Sequence, residues 1–363
     1  MNYEFKNILV TGATGLIGSA LVDLLMAEGL HDVYAACRNE ERAGKRFAKY
    51  AGNSRFHFVR HDVCRPLEGD TRYHLIVHAA SGADPRSFST DPVGVMTANI
   101  DGVRNLLEYG RNHGMERLLY VSSGEVYGSD NGKALSIDGK TNDGDASFRW
   151  HEEDSGYVDT MTPRACYPSS KRAAETLCVA YAAQYGMDVV VARPCHSYGA
   201  NFTESDNRAY AQFLRNVARG EDIVMNSDGS QYRSWIYVKD CAEALRTILY
   251  KGVGGTAYNV ADEQSCVTIK ELAELIAKAG GRNVIIQKTM PHSQDTMPQQ
   301  VAALHTQDTL HSSLPKDSSF FILHSSFIKR ATFDTSRLRA LGWQPQYTLT
   351  QGIAECLQLL RGS

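Results

Sequence analysis

Two short stretches carry the residue types needed to move a proton and a hydride. Tyr167-Pro168-Ser169-Ser170-Lys171 places a phenol and an ammonium four residues apart, and on a helix that spacing projects both from one face. A nearby ammonium stabilises phenolate and draws down a pKa that normally sits near 10. Tyr167 can then accept the hydroxyl proton of a bound alcohol as hydride leaves the same carbon. Ser122-Ser123-Gly124-Glu125-Val126-Tyr127-Gly128 supplies the second half. From there Ser123 can hydrogen-bond the same oxygen on its other side.

A third stretch, Thr11-Gly12-Ala13-Thr14-Gly15-Leu16-Ile17-Gly18, reads as a cradle for a dinucleotide. Gly12 permits a tight turn, Gly15 lets backbone approach a diphosphate, and Gly18 lets the next helix pack close to the strand. Free N–H groups and the positive end of the helix dipole favour phosphate at that place. The cofactor is NADP or NAD. Readers of NAD usually end the second strand with an acidic residue for the ribose hydroxyls, whereas this chain has Cys37-Arg38. An arginine there suits a 2′-phosphate, which favours NADP. Arg42, Lys45 and Arg46 read as the solvated face of the following helix.

These stretches must be held by a regular frame. Residues 7–11 read as a buried strand and 16–29 as a helix capped by Gly29. Strands are expected at 33–37, 56–59, 75–80, 117–122 and 188–192, and long helices at 92–113 and 168–185. Alternation of this kind indicates right-handed βαβ units and a parallel sheet. The unbroken apolar runs fit a sheet covered on both faces. The expected fold class is therefore α/β, a Rossmann-type doubly wound parallel sheet with a smaller C-terminal substrate-binding domain. The sheet domain takes residues 1–194, to which 236–262 returns; the smaller domain takes 195–235 and 263–363. The segment 196–235 reads as loop-rich with one helix, and 288–318 as a surface excursion.

Composition narrows the partners. The 363 residues are 43% hydrophobic and carry a net charge of −3 with no CxxC pair among eight cysteines. Nothing there suggests nucleic acid, a zinc site or a disulfide framework. The free thiols fit a reducing cytoplasm, and no apolar run is long enough for a membrane span. Glu152-Glu153-Asp154-Ser155 reads as a solvated loop rather than a cation site, and Asp240 as a helix N-cap.

Taken in order, the glycine loop, His78-Ala79-Ala80, Asn99 with Gly102, SSGEVYG, YPSSK, Arg193-Pro194, and Gln231 to Trp235 leading into Tyr237-Val238-Lys239-Asp240 make a pattern. With Phe333-Asp334 and Leu341 to Pro345, the chain resembles the extended short-chain dehydrogenase/reductases of the nucleotide-sugar epimerase/dehydratase family. The resemblance implies that Ser123, Tyr167 and Lys171 form the hydride-transfer triad and that Arg233 binds the diphosphate of a nucleotide-sugar. It implies cofactor contacts from Gly12, Gly15, Leu16, Ile17, Gly18, Arg38, Asp62, Ala79, Ala80, Ser81, Asn99, Tyr167 and Lys171. Ser123, His196, Arg208 and Arg233 would meet the substrate, and the two long helices would make a homodimer. Glu125 stands where dehydratases and decarboxylases of the family keep a base for C5.

The sequence departs from that pattern at two places with chemical weight. Gly124 replaces the Asp of glucose dehydratases and the Ser of mannose-type dehydratases and xylose-forming decarboxylases. His196 replaces an Asn that commonly holds substrate. The expected activity is NAD(P)-dependent remodelling of a nucleotide-sugar through a transient 4-ketosugar, as epimerase, dehydratase or decarboxylase. The alternatives are an NADPH-consuming ketoreductase and a non-catalytic nucleotide-binding protein.

Overall fold

The strands of the main sheet are apolar at consecutive positions, and both faces are covered. Successive side chains of a strand point to opposite faces. Ile8 and Val10 accordingly enter one core cluster while Leu9 enters another, and Leu119 and Leu118 divide the same way. The computed structural model describes residues 6–129, 148–203, 206–287 and 330–362. The excursion expected at 288–318 lies outside them.

The chain opens with β1 (Asn7–Thr11), α1 (Leu16–Glu28), β2 (Asp32–Cys37), α2 (Glu40–Arg46), β3 (Phe56–Arg60) and β4 (Leu75–His78). It continues through α3 (Pro85–Thr90), α4 (Pro92–Asn112), β5 (Arg117–Val121), α5 (Cys166–Tyr185) and β6 (Val189–Pro194). Then come β7 (His196–Tyr198), α6 (Ala209–Ala218), β8 (Ile223–Met225), β9 (Tyr232–Tyr237), α7 (Val238–Lys251) and β10 (Ala257–Val260). The described chain ends with β11 (Cys266–Thr268), α8 (Ile269–Gly280), β12 (Val284–Ile286), β13 (Arg330–Ala331), α9 (Ser336–Ala340) and α10 (Leu349–Arg361).

Seven parallel strands run in the order β10-β6-β5-β4-β1-β2-β3. The direction of winding reverses between β1 and β4. In such sheets a crevice opens there, outside the carboxyl ends of the strands. The glycine loop after β1 and the Ala79–Ser81 segment after β4 both lie at that crevice. The fold is the Rossmann-type α/β sheet expected from the sequence.

The close packing of the loop is steric. Gly12 has φ +66°, and a Cβ on it would stand 2.7 Å from backbone atoms of Ala79 and Ala80. A Cβ on Gly18 would stand 2.3 Å from the Gly12 carbonyl oxygen. Gly12→Ala is therefore expected to cost about 2–4 kcal/mol from left-handed backbone plus overpacking. The measurement is a urea midpoint that falls at unchanged slope.

Three expectations need correction. Segment 196–235 holds the strands β7, β8 and β9 as well as α6. Strands of three residues are too short to show a period of two, and β9 breaks its apolar run with Arg233 and Ser234. Asp240 is no N-cap: it lies inside α7, and its carboxylate accepts from the backbone N–H groups of Gln346 and Tyr347 at 2.9 and 3.0 Å. Glu152 and Asp154 are buried rather than solvated. Glu152 accepts from the Asn259 N–H, and Asp154 accepts from the His151 N–H, which pins this loop beside β10. Among the described residues no cluster suited to a metal ion is present, and no helix is long and apolar enough to cross a membrane.

Candidate active site

The catalytic candidates arise where β5 ends and α5 begins. After Val121 the chain turns through a 3-10 segment, Gly124–Tyr127, with Ser123 as its cap; Ser123 Oγ accepts from the Glu125 N–H at 3.1 Å. Tyr167 and Lys171 sit one turn apart on α5, which packs along α4. Asn99 of α4 donates to Ser170 Oγ at 2.9 Å, bracing α5 one residue before Lys171. Asn99 borders neither of the cavities described below, so it supports the site from behind.

Lys171 is almost fully buried, and its Nζ donates to the Val121 carbonyl at 2.8 Å. Burial lowers its pKa to about 7. Its ammonium stands 5.7 Å from the centre of the Tyr167 ring. The Tyr167 phenol behaves contrary to the sequence expectation. Burial and then the nearby Glu125 push its pKa up to about 12, against a hydrogen bond with Ser123 and the charges of Arg208 and Arg164. Desolvating a phenolate outweighs these attractions, so Tyr167 rests as a phenol.

A cavity of about 330 Å³ gathers Ser123, Glu125, Tyr167, His196, Arg208 and Arg233 on its wall. All the proposed substrate contacts therefore meet in one place. Arg233, on β9, donates to Gln231 Oε1 at 3.1 Å, and burial pulls its pKa down to about 10. Arg208 is engaged differently: it holds Asp206 at 2.6–3.2 Å through Nε and Nη2, with the Tyr210 hydroxyl at 2.9 Å. Burial opposes the Arg208 charge, but Tyr210 and Asp206 outweigh it and raise the pKa. Burial, with Arg233 and Arg208 nearby, drives His196 down to about 3. It is a neutral imidazole whose buried Nδ1 has no hydrogen-bond partner among the described residues.

Two residues on this wall were not singled out as site residues from the sequence. Arg164 donates from Nη2 to both carboxylate oxygens of Glu125, at 3.0 and 2.9 Å. Its signal was its place, one helical turn before Tyr167. Phe333 explains Gly124: a Cβ at 124 would stand 2.5 Å from the tip of the Phe333 ring. An aromatic wall thus occupies the space of the family's Asp or Ser side chain. The partner lies 209 positions away in sequence, beyond the reach of any local pattern.

A second cavity, of about 470 Å³, is walled by Gly12, Gly15, Arg38, Asp62, Ala79 and Ala80, with Ser81. Ser81 Oγ and His61 Nε2 are buried on this wall with no hydrogen-bond partner among the described residues. Such orphaned groups, beside a loop whose glycines leave room for close approach, fit a dinucleotide. Ile17 reaches the substrate cavity instead, while Leu16 and Gly18 are buried at the start of α1 and border neither. Arg42 also lines the cofactor cavity, and Arg46 donates to the Asn201 carbonyl at 2.6 Å, so only Lys45 of that trio, paired with Glu41, is an ordinary surface residue.

Comparison with known proteins identifies the family of the chain. Residues 8–261 match the model of the NAD dependent epimerase/dehydratase family. UDP-glucuronic acid decarboxylase 6 of Arabidopsis thaliana is 34% identical over 274 residues, which is 74% of this chain and 73% of that protein. UDP-glucuronic acid decarboxylase 1 of Danio rerio is 32% identical over 293 residues, 80% of this chain; the matched part spans 64% of the relative's length. UDP-glucose 4-epimerase of Thermotoga maritima, solved with UDP-glucose, superposes with a TM-score of 0.74 at 20% identity, covering 98% of this chain and 99% of that one. At that identity the superposition speaks for the fold. With the family model matching residues 8–261 and curated relatives aligned across most of the chain, this protein belongs to the NAD-dependent epimerase/dehydratase family.

Proposed function

We propose that this protein is a nicotinamide-dependent decarboxylase of a nucleotide-diphosphate uronic acid, working through a 4-ketosugar. The observation that carries the reading is the meeting of Tyr167, Ser123 and Glu125 with Arg233 in one cavity, with a second cavity lined by the glycine loop. The choice of decarboxylation over epimerisation rests on the two decarboxylase relatives; against dehydration stands Gly124, which has no side chain to protonate a leaving hydroxyl.

A dinucleotide held along Gly12, Gly15, Arg38 and Asp62 would supply the hydride acceptor through its oxidised nicotinamide and, once reduced, the returning hydride. The residues of this chain do the remainder. Arg233 takes the diphosphate with its planar fork, and the neutral His196 offers a hydrogen bond to sugar or base. Ser123 holds the C4 hydroxyl, and Tyr167 removes its proton as hydride leaves C4. The ketone at C4 makes the C5 carboxylate that of a β-keto acid, which loses carbon dioxide. Ser123 and Tyr167 then hold the enolate oxygen while C5 takes a proton from water, delivered through Glu125, and the proton on Tyr167 returns to the C4 oxygen with the hydride. Lys171, anchored on the Val121 carbonyl, keeps the α5 face in register with the β5 turn.

Arg38 and Arg42 border the cofactor cavity at the end of β2, which favours NADP over NAD. Arg38→Ala is expected to weaken NADP at least about tenfold, the loss of one charge-assisted phosphate contact, and to leave NAD unchanged; titration of cofactor fluorescence checks it. The exposed Val93 and Met96 on α4 and Val179 and Tyr185 on α5 support a homodimer through these helices. A panel of UDP-, GDP-, CDP- and dTDP-linked hexoses and uronates, read by chromatography and mass spectrometry, tests the activity. Loss of carbon dioxide from a uronate supports the reading. A changed retention time at unchanged mass, or loss of water, assigns epimerase or dehydratase instead. Stoichiometric loss of NADPH absorbance assigns a ketoreductase.

A further inference from the structure

The proposed mechanism, on which this inference rests, asks two neighbouring groups to carry negative charge. Tyr167 must become phenolate while Glu125 is a carboxylate, and the Glu125 charge opposes deprotonation of Tyr167. Something must separate and balance them.

Arg164 is placed to do so. It lies in the Pro163–Ala165 turn that leads directly into α5. Its Nη2 spans both oxygens of Glu125, and the two side chains are 19% and 29% exposed, on the cavity wall. Its guanidinium also lies over the Phe88 ring at 4.6 Å. The same ring packs on Tyr167, with centroids 4.8 Å apart. One arginine therefore grips the carboxylate of one base and shares an aromatic floor with the other. We propose that Arg164 is a positioning residue that holds Glu125 away from Tyr167 and neutralises its charge, so that both bases can work in one pocket.

The other groups around Tyr167 do not fill that role. Ser123, from the β5 turn, supplies a hydrogen bond but no charge. Lys171, behind the ring on α5, is committed to the Val121 carbonyl. Arg208, preceding α6, is tied to Asp206 and Tyr210. Phe88 of α3 presents only an apolar face. Arg164 is thus the cation in direct contact with Glu125.

The test reads the first step alone: formation of reduced nicotinamide in a single turnover of cofactor-loaded enzyme on the active nucleotide-sugar, followed against pH. Arg164→Gln removes a cation near the phenol and is expected to move the acid limb up by about half to one pH unit. Glu125→Gln removes the anion and is expected to move it down by a similar amount, leaving reduced nicotinamide to accumulate. The double variant returns close to wild type, and Arg164→Lys, which keeps the charge, shifts less than Arg164→Gln. Thermal melting of each variant confirms that it is folded, and Arg164→Lys carries the test if Arg164→Gln is not. Shifts of the same sign, or no shift in Arg164→Gln while wild type reacts, overturn the proposal and leave the function standing. No reduced nicotinamide from wild type on any substrate of the panel removes both.

Discussion

Tyr167→Phe is expected to lower kcat by about 10²–10⁴-fold while leaving the affinity for nucleotide-sugar and cofactor nearly unchanged. The change deletes one oxygen from a ring that is buried and packed on Phe88, so the cavity keeps its shape. The phenol rests high, near 12, because of burial and Glu125. Its proton therefore leaves only against a cost that the bound substrate and cofactor must offset. Without the hydroxyl no other group on the wall stands in its place: Ser123 is too weak a base, and Glu125 is held by Arg164. Activity rising with pH along the acid limb should mark the wild type, and that limb should vanish in the variant. A variant with KM raised and kcat retained would show that Tyr167 only binds.

Arg233→Met should act on the other half of the problem. Methionine approximates the length and apolar stem of arginine, so packing on β9 is largely kept. What is lost is a buried cation whose pKa burial has already lowered to about 10. A charge held at that cost invites an anionic partner, and a diphosphate is one. Removing one member of a buried charged pair costs about 2–5 kcal/mol, so the Kd for UDP or the matching nucleotide should rise at least about thirtyfold. Cofactor affinity should stay as it was, since Arg233 borders only the substrate cavity. Isothermal titration with the nucleotide diphosphate alone separates this from any effect on the chemical step.

Much of the frame was legible because it is built from long or strongly marked elements. The β1 strand, the glycine loop and α1 are local: apolar run, turn, helix and the Gly29 cap, which has φ +65°, all fall within one stretch. Tyr167 and Lys171 needed only helical spacing. Ser123 needed only the end of an apolar strand, while Glu125 drew its meaning from the family resemblance. The remainder depends on partners far apart in sequence. Gly124 looked like a missing side chain, yet it is the space taken by Phe333. Glu152 and Asp154 looked like a charged loop until Asn259 and His151 supplied their N–H partners. Arg164 took its meaning from a carboxylate 39 residues earlier. The Tyr167 pKa ran opposite to expectation because spacing reveals the ammonium but not the burial, nor the Val121 carbonyl that the ammonium serves.

The most direct test of the account is incubation of the purified protein with UDP-glucuronate in deuterated water, with no cofactor added. The expected product is a UDP-pentose that has lost carbon dioxide and gained one deuterium, placed at C5, with no lasting change in nicotinamide absorbance. A nucleotide-sugar of unchanged mass and no incorporated deuterium, across uronates of every nucleotide in the panel, would contradict it.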